Sequence, residues 1–241
     1  MATVAEHYDR LLARYYSWLF GDFDKTVEAN RDFFIVQKLI PGKSKIALDL
    51  GSGPGFQSVA LAQLGFSVYA FDQDRELLDE LKRNSADMHI TPIRDDILNF
   101  ASHCPENVTL AVCMGDTLTH LDSFEMVKSL FAGVYSSLET GGKFVITFRD
   151  LIPELKGVDR FIPVKSDSET IFTCFLEYEA AHVRVNDIIY RKSKDGWKMD
   201  VSCYRKLRIP PEWVTKELSG LGFTIARYEN NKGMITVIAG K

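Results

Sequence analysis

Four short stretches hold residue types and spacings suited to gripping a nucleoside-bearing small molecule. The sharpest is Asp49-Leu50-Gly51-Ser52-Gly53-Pro54-Gly55, with glycine at alternate positions and an acid two residues before the first. Glycine lets backbone approach a ligand closely, and the helix such a turn opens adds the positive end of its dipole. Phe71-Asp72-Gln73-Asp74 comes next, with Asp72 placed 17 residues after Gly55. A strand-end carboxylate there can accept both O–H groups of a ribose diol. Arg94-Asp95-Asp96-Ile97 is the third stretch. One of its carboxylates can accept from an adenine amino group while the Ile97 N–H reaches a ring nitrogen. Cys113-Met114-Gly115-Asp116-Thr117-Leu118-Thr119-His120 is the fourth, and its imidazole titrates in the range a general base needs. Each stretch alone has a plain structural reading, as a cap, a tight turn or a solvated loop. Their common order and intervals argue for one site.

The elements that must position them follow from apolar patterning. Residues 6–20 place Tyr8, Leu11, Leu12, Tyr15, Tyr16 and Leu19 three and four apart, which predicts an amphipathic helix. A second helix is expected over 25–40, stopped by Pro41-Gly42. Short apolar strands at 45–50, 66–71, 89–94, 108–114 and 143–148 then alternate with helices, including 122–138 with Asp122 as N-cap and Thr140-Gly141-Gly142 as its stop. That alternation predicts right-handed βαβ units and a parallel sheet, and each of the four stretches falls at a strand's carboxyl end. Past Asp150 three strands at 170–178, 181–191 and 197–208 are separated by breaks too short for a crossover, so they are antiparallel. A helix from Pro210 to about 219 and two strands at 223–228 and 234–239 close the chain. The expected organisation is N-terminal helices covering a pocket at 1–42, a nucleotide-binding core at 43–150, an antiparallel insertion at 151–209, and core completion at 210–241.

Composition narrows the partner. The chain has 241 residues, 46% hydrophobic and 26% charged, typical of a globular protein rather than a disordered or fibrous one. Residues 1–150 carry 14 Lys and Arg against 21 Asp and Glu, the wrong sign for tracking phosphates, so a small-molecule partner is expected over nucleic acid. No apolar run approaches membrane-spanning length, and the first residues show neither a basic start nor an apolar stretch. Cys104, Cys113, Cys174 and Cys203 form no C-x-x-C pair, so no metal is expected and a reducing cytoplasm suits the chain.

The glycine motif is not the dinucleotide fingerprint, because Phe56 stands where G-x-G-x-x-G needs its third glycine. With its leading acid and the three later stretches, the chain resembles the class I S-adenosylmethionine-dependent methyltransferases, over about 45–150 and more loosely 211–241. The resemblance implies a seven-stranded, mostly parallel Rossmann-like sheet with helices on both faces and an antiparallel final strand. To this α/β core the pattern adds the three-stranded antiparallel insertion. It implies that Asp49, Gly51, Ser52, Gly53 and Gly55 pack against the cofactor's methionine and ribose. Asp72 with Gln73 meets the ribose hydroxyls. Asp96, or Asp95 in the alternative register, meets the adenine with Ile97, and Met114 and Gly115 line the methionine end. The fourth stretch lacks the Asn/Asp-Pro-Pro-aromatic tetrad of base-directed relatives and resembles small-molecule N- and O-methyltransferases. The insertion likewise resembles that of sugar and small-metabolite N-methyltransferases, where it caps the pocket or makes a dimer contact.

On this reading the cofactor is S-adenosyl-L-methionine, spent as S-adenosyl-L-homocysteine, and a methyl group moves to a nitrogen or oxygen of a metabolite. His120 is the candidate base, Tyr8 and Tyr16 cover the pocket, and Asp116 and Arg149 stand at its substrate rim. Arg205, Lys206 and Arg208 read as a solvated basic face. The alternatives are an NAD-dependent oxidoreductase and a non-catalytic S-adenosylmethionine-binding or partner protein. A homodimer is open.

Overall fold

The computed structural model describes residues 3–85 and 87–241. Helix α1 (Val4–His7), a π-helical turn (Tyr8–Leu12) and α2 (Ala13–Phe20) run continuously, so the predicted first helix contains a wider turn that begins at Tyr8. Asp22 caps α3 (Phe23–Val36) through the Lys25 N–H. The alternating core follows as β1 (Ile46–Leu50), α4 (Phe56–Gln63), β2 (Ser67–Asp72), α5 (Arg75–Asn84), β3 (Ile90–Arg94), β4 (Val108–Cys113), α6 (Phe124–Ser137) and β5 (Leu138–Arg149). Strand β4 is buried along its whole length, as a central parallel strand covered on both faces must be.

After the core come β6 (Phe161–Ser166), β7 (Thr170–Tyr178), β8 (His182–Ser193) and β9 (Gly196–Leu207), then α7 (Pro211–Gly220), β10 (Thr224–Asn231) and β11 (Met234–Gly240). The main sheet has seven strands in the order β10-β11-β5-β4-β1-β2-β3. The pairs among β1 to β5 are parallel, and β11 is antiparallel to both of its neighbours. Phe131, Phe144 and Phe223 pack one face with α6 and α7, while Phe34, Phe66, Val59 and Leu81 pack the other with α3, α4 and α5.

Three sequence expectations need correction. The insertion has four strands, in the order β6-β7-β8-β9, not three. Strand β6 escaped notice because it is short, holds Pro163 and slips register at 163–165, features an edge strand tolerates. The cap of α6 is Ser123, whose hydroxyl accepts from the Met126 N–H, not Asp122. Helix α6 also ends at Ser137, and Gly141-Gly142 lie within β5.

The insertion's inner face holds the covering helix. Leu11 and Leu12 pack on Phe172 and Ile189. His7, fully buried, stacks on Tyr204 with centroids 4.3 Å apart, and its Nε2 lies 2.9 Å from Asp187 Oδ2. At the other end, Lys165 donates to the Trp18 carbonyl, satisfying one of the last free acceptors of α2. Residues 3–20 therefore bridge the insertion and the mouth of the core.

Candidate functional site

The carboxyl ends of β1, β2 and β4 open into a cavity of about 380 Å³. A wider cleft of about 840 Å³ sits at the amino end of the sheet, between 41–44 and 139–141, and contains none of the motif residues. The first cavity is the candidate site because the motif chemistry converges there, not because of its size.

Asp72 ends β2 and lies in its wall. The Gly53 N–H donates to Oδ2 at 2.8 Å and the Asp74 N–H to Oδ1 at 2.9 Å. Enclosure pushes this carboxyl up to about 6, against the pull of those two amides. Gly51 and Gly53 also line the cavity, both with positive φ, at 90° and 52°. A Cβ on Gly51 would fall inside the Thr117 side chain, and one on Gly53 would lie 3.4 Å from the Tyr16 ring. At Gly51 a neighbour occupies the space a side chain would need, whereas at Gly53 it is the left-handed backbone that favours glycine.

The other cofactor candidates divide. Gln73, Asp96 and Ile97 line the cavity, with Gln73 Nε2 donating to Asp96 Oδ2 at 2.9 Å. Asp96 also takes the Leu98 N–H at 2.9 Å, which aims the loop. Asp95 is turned away to Asn99 and His103, which hold its carboxyl below the usual range. Of the two registers, Asp96 is the one at the cavity. Asp49, Ser52, Gly55, Met114 and Gly115 are outside its wall. Asp49 is buried and accepts from Ser58 Oγ at 2.6 Å, and burial pushes it up to about 7. Gly55 is glycine for packing, since Leu81 fills its Cβ position. The Gly115 N–H donates to Thr147 Oγ1 at 2.8 Å.

At the substrate side, Tyr8, Tyr16 and His120 line the cavity, but Asp116 and Arg149 do not. Asp116 adopts φ 92°, rare for a residue with a side chain, and is locked there. Its carboxylate accepts from the Arg149 N–H at 2.9 Å, the Thr119 hydroxyl at 3.0 Å and the Lys206 ammonium. Burial alone would raise it, but the Lys206 ammonium, helped by the Arg149 N–H, outweighs that and holds it low. The Arg149 side chain is exposed, so only its backbone serves the site. His120 stands edge-on to Tyr8 and Tyr204, at 5.8 and 5.7 Å. Its Nε2 is enclosed and has no hydrogen-bond partner among the described residues. Burial, reinforced by Lys206, drops it to about 3, so the ring is neutral at physiological pH.

Lys206 is the site residue that local spacing does not reveal. In sequence it falls with Arg205 and Arg208 in a run expected to be solvated. Strand alternation instead turns it inward, with its side chain 13% exposed and paired to Asp116. Leu77, Thr117, Leu121, Asp122 and Met126 also line the cavity. Thr117, Leu121 and Asp122 lie within or just beyond the fourth stretch, so their nearness to it was a usable signal; Leu77 and Met126 sit on helices that carried none.

Residues 47–142 match the methyltransferase domain family. A glycine/sarcosine N-methyltransferase from Aphanothece halophytica is 29% identical over 119 residues, 48% of this chain and 45% of that one. The chain spans about half the length of the curated relatives it matches. Among solved structures, an S-adenosylmethionine-dependent methyltransferase from Clostridium acetobutylicum superposes with a TM-score of 0.74 at 17% identity, covering 97% of this chain and 98% of that one. A sugar N-methyltransferase from Streptoalloteichus gives 0.73 at 15% identity, covering 99% and 94%. These last two are likenesses of fold. Residues 47–142 thus match a methyltransferase domain, and the fold of the whole chain is like that of S-adenosylmethionine-dependent methyltransferases. Both of those solved neighbours are methyltransferases, one of them a sugar N-methyltransferase.

Proposed function

We propose that this chain transfers a methyl group from S-adenosylmethionine to a nitrogen or oxygen of a small molecule. The observation that carries the reading is Asp72, pinned by two backbone amides in the wall of a cavity floored by Gly51 and Gly53. A carboxylate fixed in this way is prepared to accept from a ribose diol. Asp96 and the Ile97 backbone stand where an adenine edge would be read. The residues present therefore fit the cofactor. When bound, it supplies a methyl group already activated on a sulfonium.

What the chain adds is position and exclusion of water. Tyr8 and Tyr16, carried by the covering helix, close the cavity over the reacting end. His120, neutral to about pH 3, stores a proton poorly and accepts a hydrogen bond well. Its role is then to orient an N–H or O–H of the acceptor, while the released proton passes to solvent. The N-terminal helices, expected over 1–42, and the insertion at 151–209 serve as the pocket's lid and wall. A cytoplasmic location goes with this reading, and sedimentation velocity decides between monomer and homodimer. No helix among the described residues is long and apolar enough to cross a membrane.

Calorimetric titration with S-adenosylmethionine, S-adenosylhomocysteine and NAD tests the reading. Micromolar binding of the first two and none of NAD is expected. Binding of NAD alone would overturn it.

A further inference from the structure

The charges around the acceptor end of the cavity select its ligand. Four carboxylates line the cavity, those of Asp72, Asp74, Asp96 and Asp122, and no Lys or Arg does among the described residues. Asp74 caps α5 through the Leu77 N–H, and Asp72 and Asp96 face the nucleoside end. Asp122, exposed beside His120, is left without an assigned task. It follows the Thr117–His120 turn directly, and its backbone carbonyl lies 3.2 Å from His182 Nε2, which ties it to the insertion.

The nearest cation behind this wall is already spent. Lys206 projects from the insertion toward the fourth loop, and its ammonium is paired with the buried Asp116 carboxylate. The same carboxylate is held by Arg149 N–H and the Thr119 hydroxyl, so it cannot swing away to free the lysine. Asp187 faces His7 on the inner face of the same sheet. The acceptor end is thus walled by Tyr8, neutral His120 and Tyr204 behind it, with Asp122, unpaired among the described residues, at the mouth. Such a wall accepts hydrogen bonds and stacks on cations, but offers no counter-charge to an anion.

We propose that the acceptor is an amine bearing no carboxylate or phosphate, and that Asp122 and the Asp116–Lys206 pair enforce this selection. The proposal rests on the methyl-transfer reading and deepens it. In the transfer, the neutral amine's lone pair forms the N–CH3 bond as the S–CH3 bond breaks with its electron pair returning to sulfur. The extra N–H proton of the product ammonium then leaves to solvent. Asp122 attracts the acceptor in its ammonium form, which gives one proton to solvent before its lone pair attacks, and repels a carboxylate on the same molecule.

Matched amines isolate the effect. Ethanolamine and glycine differ in a hydroxymethyl against a carboxylate, as do N-methylethanolamine and sarcosine. S-Adenosylhomocysteine release by the full chain is measured with each, after calorimetry has established that the protein binds S-adenosylhomocysteine. The expected result is kcat/KM at least about tenfold higher for the alcohol of each pair, the order expected for one unpaired like charge at a partly wetted site. Asp122→Asn should raise KM for the alcohol severalfold with kcat nearly kept, and shrink the preference. Equal or better use of glycine or sarcosine overturns the proposal. So does transfer to no member of either pair by a protein that binds S-adenosylhomocysteine, and so does a preference unchanged in Asp122→Asn. Failure to bind S-adenosylhomocysteine overturns the methyl-transfer reading itself.

Discussion

Replacing Asp72 with alanine tests the site at its most exacting point. The carboxylate takes the Gly53 N–H at 2.8 Å and the Asp74 N–H at 2.9 Å, which leaves its remaining lone pairs for a ligand diol. Hydrogen bonds to a charged group contribute about 1.5–3 kcal/mol. Affinity for S-adenosylhomocysteine should therefore fall roughly 10- to 150-fold, at 1.4 kcal/mol per decade. A pH series separates this from mere loosening of the loop. Asp72 sits at about 6, above the ordinary 3.8, so it is ionised at pH 7 and gains a proton as pH falls through 6. Wild-type affinity should drop about tenfold between pH 7 and 5, while Asp72→Ala should be weak and flat across that window. Calorimetry at half-unit intervals reads both, with thermal melts confirming that each protein is folded. An alanine variant as tight as wild type, or a flat wild-type profile, would refute the reasoning.

Four further outcomes follow from the same contacts. His120→Phe should leave S-adenosylhomocysteine affinity unchanged and cut turnover at least tenfold, with no pH dependence above pH 5 attributable to the ring, since it is already neutral there. Asp49 is raised from 3.8 to about 7 by burial, so the folded chain holds a proton that the unfolded chain releases between those values. Stability should decline as pH rises from 4 to 7, by at most about 4 kcal/mol, and Asp49→Asn should flatten that decline in denaturant titrations. Lys206→Met should destabilise by about 3–5 kcal/mol by stranding Asp116, and adding Asp116→Asn should recover much of it. Gly55→Ala should lower stability by about 1–3 kcal/mol, through φ 100° and contact with Leu81, yet leave ligand affinity intact in the folded fraction.

The core was legible because its period carries it. Strands such as 108–113 are apolar on both faces, helices such as 75–84 show Leu77, Leu78 and Leu81 on one face, and glycine marks the first crossover turn. A motif's residue types were legible too, but not which of them face the ligand. Asp49 and Asp72 both sit at the carboxyl ends of parallel strands, yet one turns into the protein against Ser58 and the other into the cavity. That choice depends on which neighbour offers a donor, and the donors come from α4 in one case and from the Gly53 turn in the other. Asp95 and Asp96 show the same point, since His103 captures the first and leaves the second to Gln73.

The substrate side was least legible because three distant segments build it. His120 comes from the fourth loop, Tyr8 from the covering helix and Lys206 from the insertion, and no local spacing connects them. Lys206 lies 90 residues from the Asp116 it neutralises. In sequence it belongs to a basic run; in the sheet, alternation sends Arg205 out to Glu179 and Lys206 in to Asp116. The buried pair does more than join insertion to core. It removes a positive charge from the wall, depresses His120 and fixes the left-handed Asp116 from which the Thr117–His120 turn begins. A change at Lys206 should thus alter which acceptors are admitted as well as how firmly the chain folds. The two effects separate because the Lys206→Met, Asp116→Asn pair restores neutrality without restoring the ammonium.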